Sequence, residues 1–159
     1  MKITIVTVGK LKEAYWKGAI AEYEKRLGRY CKLEILELPD EKTPDGASEA
    51  LEQQIKDREG ERILKAIKEE AYVLALAIEG AMPDSVELAQ KLERLAVDGK
   101  SHLIFVIGGS LGLSKRVLKR ADELLSFSRM TFPHQLMRVI LLEQLYRSFR
   151  IQNHQPYHK

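Results

Sequence analysis

Two stretches of this chain, Val73-Leu74-Ala75-Leu76-Ala77-Ile78 and Leu103-Ile104-Phe105-Val106-Ile107, are apolar at every position. A strand with one wet face alternates apolar and polar residues, so unbroken runs need cover on both sides. That requirement points to a parallel sheet with helices on both faces. Lys2–Val8, ended by Gly9, and Lys32–Leu38, stopped by Pro39, read as further strands. Glu13–Tyr30 carries Tyr15, Ala19, Ile20, Tyr23 and Leu27 near helical spacing. After the polar loop Asp40–Gly46, a charged helix is expected over Ser48–Glu69, with Gly60 as a point of interruption. Asp84 with Glu87 three residues later forms a capping-box pattern for a helix ending at Asp98-Gly99. Ser114 caps a short helix, Lys115–Arg120; Leu124–Ser128 reads as a last short strand and Pro133–Phe149 as the last helix. This alternation predicts an α/β protein. With no internal repeat, low-complexity tract or linker, residues 1–159 form a single domain.

The apolar runs are far shorter than the roughly 18 residues of a membrane span. The N-terminus alternates like a strand and lacks the pattern of a secretory signal. With one cysteine, Cys31, no internal disulfide exists, which points to a reducing, cytoplasmic setting. Cys31 has no nearby base and reads as structural. A net charge of +3 is too mild to mark a nonspecific nucleic-acid binder, so any RNA recognition depends on where charges sit. Four histidines without a clustered Cys or Asp partner predict no metal site, and no Gly-x-Ser-x-Gly elbow is present.

Three segments remain as functional candidates. Ile107-Gly108-Gly109-Ser110-Leu111-Gly112 follows a buried strand and precedes a helix, where open α/β sheets bind ligands. It lacks the G-x-G-x-x-G fingerprint, and Leu113 stands where a P-loop needs lysine. A ligand loop and a plain tight turn are the two readings its spacing allows. Phe127-Ser128-Arg129-Met130-Thr131-Phe132-Pro133-His134 is forced to bend, because Pro133 denies Phe132 a helical backbone. Such a bend holds an adenine by backbone hydrogen bonds, or serves as a connection with Thr131 as a cap. The last helix is apolar around its circumference from Val139 to Leu142, which calls for cover from a second subunit or from a monomer's own core. Beyond it, His154, Tyr157 and His158 accompany Arg147 and Arg150, the groups that stack on unpaired bases and meet phosphates; a frayed polar end is the plainer reading.

These segments, FVIGGSLGLS, LSFSRMTFPHQLMRVILLEQLYRSFRIQ and the terminal PYHK, with the opening VGKLKEAYWKGAIAEYEKRL, resemble the RlmH family. Its members are small SPOUT methyltransferases that act on N3 of a pseudouridine in bacterial 23S ribosomal RNA. The resemblance covers the whole chain. It implies a SPOUT-type α/β fold with a trefoil knot, a homodimer, and S-adenosylmethionine bound in the knot. The family's cofactor positions fall on Leu76, Gly108, Phe127, Ser128, Arg129, Met130, Thr131 and Phe132. At Ala81-Met82-Pro83-Asp84-Ser85 the chain departs from the family's usual lysine and paired serines. The implied partner is 23S ribosomal RNA in the assembled ribosome, with neither metal nor membrane involved. For such a reaction, Arg138 or Arg147 is expected to favour the deprotonated base, and Tyr157 or His158 to relay its proton. The rival classes are a nucleotide-binding regulatory module without catalysis and a purely RNA-binding ribosomal factor.

Overall fold

The computed structural model describes residues 1–159. Five strands, β1 (Lys2–Val8), β2 (Lys32–Leu38), β3 (Tyr72–Ala81), β4 (His102–Ile107) and β5 (Glu123–Leu125), form one parallel sheet in the order β2-β1-β4-β3-β5. Ile3 and Ile5 of β1, Leu74 of β3, and Leu103, Phe105 and Ile107 of β4 point to one face. There they meet α1 (Ala14–Leu27), α3 (Ser85–Val97) and α5 (His134–Gln152) through Leu27, Leu88, Leu92, Leu141 and Leu145. Val6, Val8, Val73, Ala75, Ile104 and Val106 point the other way, onto α2 (Glu49–Ala66) and α4 (Lys115–Arg120) through Ile63 and Val117. The unbroken apolar runs thus serve two cores at once, which is why they do not alternate.

Local chemistry sets several boundaries. Helix α1 stops at Leu27, three residues short of the expectation, because the amides of Tyr30 and Cys31 both turn back to Leu27 O. Asp84 and Glu87 complete the capping box on α3, and Ser114 Oγ accepts from Val117 N at the start of α4. Helix α2 runs through Gly60 without a break, contrary to the expected interruption. The glycine is there for packing: a Cβ at Gly60 would lie 2.3 Å from Ser114 Oγ. Strand β5 ends at Leu125, shorter than the sequence pattern indicates, because Ser126 Oγ bonds Ser128 O and starts a turn.

The edge of the sheet that matters most for the site is β3–β5. Leu125 is paired with both Leu76 and Ala81, so β3 bows out between these positions and passes the end of β5 twice. Ser126 N donates to Ala81 O at 2.8 Å. The bow is possible only because Gly80 lacks a side chain: a Cβ there would stand 2.6 Å from Leu124 C and from Leu125 N. Backbone cannot swing aside as a side chain can. Gly80→Ala is therefore expected to cost about 3 kcal/mol of stability by overpacking, read from urea unfolding. A variant with the wild-type midpoint would show that the two strands are not locked together here.

Candidate functional site

At the carboxyl ends of β3, β4 and β5 lies a cavity of about 560 Å³. Sites there are favoured because strand ends release loops while the sheet holds them still. Its walls are Leu76–Ile78 from the bow of β3, Ile107–Leu113 after β4, and Leu125–Ser128 with Met130–Thr131 after β5. Phe132, Pro133, His134 and Met137 close it from the start of α5.

Glycine shapes the second wall in two distinct ways. Gly112 adopts φ +85°, a backbone that favours glycine, and its amide donates to Gly109 O at 3.1 Å. Gly108 needs no unusual φ; a Cβ there would lie 2.9 Å from Gly112 C and 3.0 Å from Gly112 O. The loop is folded back on itself so closely that no side chain fits at 108, while Ser110, Leu111 and Leu113 line the cavity beside it. Behind it stands Glu59 of α2, 4% exposed, accepting from Glu41 N at 3.0 Å. A Cβ on Gly109 would come within 3.0 Å of its Oε1. Burial raises the Glu59 carboxyl above its ordinary value. Nothing in the charged run of α2 distinguishes this glutamate in the sequence.

The third wall is also built on backbone. Ser128 Oγ accepts from Met130 N, fixing the turn, while the amides of Phe127, Thr131 and Phe132 take no partner within the chain. Leu76, Gly108, Phe127, Ser128, Met130, Thr131 and Phe132 all line the cavity. Arg129 does not; it is exposed between lining neighbours.

The other sequence candidates lie elsewhere. Arg138 is 2% exposed and outside the cavity wall, so it is not a free cation facing a substrate. One terminal nitrogen donates to Glu37 Oε2 at 2.7 Å, the other to Gly9 O at 2.7 Å and Val8 O at 3.2 Å. The side chain bolts α5 to the ends of β1 and β2. Tyr157 and His158 pack against the far end of α5. Tyr157 OH donates to Glu143 Oε1 at 3.0 Å, Arg147 pairs with the same carboxylate at 2.6 Å, and His158 Nδ1 lies 3.2 Å from Arg147. Burial, then the bond to Glu143, pushes the Tyr157 phenol up to about 12. The tail is ordered, not frayed. Ten residues separate Met137 from Arg147, roughly 15 Å along a helix, so this cluster does not reach its own chain's cavity.

His134 is the lining residue that the sequence pattern left without a role. It is the first residue of α5, and its Nε2 and the Cβ of Asp40 lie 3.8 and 4.0 Å from where a Gly9 Cβ would stand. Burial pushes its imidazole below the ordinary value; Arg138 acts the same way and Asp40 opposes. No cluster of three His, Cys, Asp or Glu stands where it would hold a metal ion, and no helix is long and apolar enough to cross a membrane. Cys31 bonds Leu27 O, and burial pushes its thiol up to about 11, as befits a structural cysteine.

A family model described as predicted SPOUT methyltransferase matches residues 1–158. Ribosomal RNA large subunit methyltransferase H of Bifidobacterium adolescentis is 64% identical over 159 residues, covering all of both chains. The Clostridium botulinum protein of that name is 62% identical, and Ribosomal RNA large subunit methyltransferase H 1 of Clostridium perfringens 60%, again over all of each chain. Among solved structures, a probable methylase family protein from Haemophilus influenzae Rd KW20 matches with TM-score 0.52 at 16% identity, over 99% of this chain and 70% of that one. At that identity the likeness is one of fold.

Removing the bolt beneath the cavity has a measurable cost. Arg138→Ala would take a donor from the carbonyls of Val8 and Gly9 and from the Glu37 carboxylate, which keeps only the Leu11 amide at 2.9 Å. Since Glu37 is 35% exposed, water takes over part of its share. A loss of about 2–4 kcal/mol is expected in chemical denaturation, with Glu37→Gln costing less than half as much. Equal stability of Arg138→Ala and wild type would refute the bolting role.

Proposed function

We propose that this chain, which belongs to the SPOUT methyltransferase family, transfers a methyl group from S-adenosylmethionine to N3 of a pseudouridine in 23S ribosomal RNA. Full-length identity of 60–64% to three proteins named as large-subunit ribosomal RNA methyltransferases carries the reading. The cavity supports it: its volume suits a nucleoside-sized donor. The unpartnered amides of Phe127, Thr131 and Phe132 suit the ring nitrogens of an adenine, and the crowded Gly108 lets a ligand approach the backbone. Leu76, Ser128 and Met130 complete the proposed contacts, with Arg129 at the rim.

S-adenosylmethionine supplies a methyl already activated on a sulfonium, so no covalent enzyme intermediate is needed. The protein's tasks are alignment, which can be worth up to roughly 7–11 kcal/mol, and control of the N3 proton. We read the fold as the family's knotted one, with the bow of β3 between Leu76 and Ala81 forming one wall of the cavity. We read the active form as a homodimer. Leu136, Val139 and Ile140 of α5 remain half-buried in the single chain and offer an apolar face to a second copy. Across such an interface the Arg147–Tyr157–His158 cluster of one chain closes the cavity of the other. Arg147 then favours the anionic base, and Tyr157 and His158 relay its proton outward. With no separate RNA-binding unit, the target is best met in folded ribosomal RNA on the assembled ribosome, in the cytoplasm.

Mass spectrometry of large-subunit RNA from cells lacking this chain tests the reading: one pseudouridine should lose a methyl group, and an unchanged modification pattern would sink it. Gly108→Val should weaken S-adenosylmethionine binding at least 100-fold by calorimetry while the dimer persists in sedimentation; unaltered affinity refutes the proposed cradle. His158→Ala should lower turnover about tenfold with donor affinity intact, and a normal rate would mean the tail has no chemical part.

A further inference from the structure

His134 is the one titratable side chain among the 20 residues that line the cavity. The rest are apolar, glycine, proline, serine or threonine, none of which accepts a proton near neutral pH. Methylation at N3 of a uracil-type ring requires that nitrogen to give up its hydrogen, because the lone pair that attacks is otherwise delocalised into the flanking carbonyls. We propose that His134 is the first proton acceptor, its ring nitrogen taking the N3 hydrogen of the base held in the cavity. The inference rests on the methyl-transfer reading above.

The balance closes on named groups. The N3–H bond breaks, the proton passes to the imidazole, and the electron pair stays on nitrogen. That pair forms the bond to the methyl carbon as the carbon–sulfur bond breaks. The departing pair stays on sulfur, which turns from sulfonium to neutral thioether. The imidazolium then hands its proton to the proposed Tyr157 and His158 relay, and so to solvent.

The surroundings keep the ring ready for this. His134 opens α5, where aligned peptide dipoles place positive potential and disfavour a cation. Arg138, one turn along the helix, is held by Glu37 of β2 and by the carbonyls of Val8 and Gly9. Asp40, in the loop after β2, is the one carboxylate that opposes. The glycine loop after β4 and the turn after β5 present no titratable group to the cavity, since Arg129 lies outside its lining. Burial and Arg138 favour the neutral imidazole, the form with a ring nitrogen free to accept a proton.

The test uses the full-length chain, ribosomes from cells lacking it, and His134→Gln and His134→Asn. Calorimetry should give donor affinities within about twofold of wild type. At pH 7 kcat should fall about 100-fold. The deficit should shrink about tenfold per pH unit as the base approaches its own ionisation, whereas wild type stays flat from pH 8 down past the ordinary histidine value of roughly 6.5. Proton NMR of the free chain should show the His134 ring titrating below that value, independently of turnover. Wild-type kcat in either variant at pH 7, loss of donor binding with kcat intact at saturation, or a ring that titrates above pH 7 would each overturn the assignment. If wild type itself moves no methyl to the ribosome, the parent reading falls first, a result distinct from an active enzyme indifferent to His134.

Discussion

Much of this molecule's geometry is referred to one guanidinium. Arg138 sits in α5, yet its donors end on Glu37 of β2 and on the carbonyls where β1 gives way to Gly9. A buried charge is costly unless paired, and both terminal nitrogens of this one are engaged by acceptors at the ends of β1 and β2, although its Nε is left without a partner. The arginine therefore sets where α5 begins relative to the strand ends. His134, Phe132 and Pro133 take their places along the cavity wall from that register. A lysine at 138 offers a single point charge and no fork, so it does not hold both strand ends at once.

A second constraint is that backbone meets backbone wherever the cavity wall turns. Gly80 lies against Leu124 and Leu125, and Gly108 lies against Gly112. Glycines at such contacts cost more conformational entropy on folding than other residues, but they let the backbone segments meet. Peptide amides in a fixed wall recognise a purine edge without the mobility of side chains. A cavity that is electrically plain except for one imidazole suits the proposed sulfonium donor, since further cations there would repel it.

The sequence made the sheet legible because burial on both faces leaves a signature that no single-faced strand can imitate, as in Val73–Ile78. The Asp84–Glu87 capping box and the Ser114 cap are legible because they are local. What failed was long-range. The end of β5 is held where Ser126 N donates to Ala81 O, far back in the chain, and the need for glycine at 60 comes from Ser114, over fifty residues away. Arg138 looked like a substrate-facing cation because its true partner, Glu37, is 101 residues distant. The order of the last residues was equally hidden: Tyr157 and His158 are held by Glu143 and Arg147, whose i,i+4 pairing reads in sequence as an ordinary helix pair.

That pairing bears on how so small a chain assembles a site. Within one chain, Glu143 orients Arg147 and Tyr157 toward each other, and Tyr146 packs edge-on against Tyr157 at 4.9 Å. Such order in the terminal residues costs side-chain entropy that exposed groups rarely give up without return. The cluster is preorganised yet stands roughly 15 Å from the cavity by helix rise alone. In the proposed homodimer a two-fold axis beside α5 would resolve the mismatch, because it would carry one chain's far helix end toward the other chain's near end. The half-buried Leu136, Val139 and Ile140 lie along the stretch of helix such an axis would cover. On this proposed arrangement the methyl donor would be held by one chain and the acceptor by both.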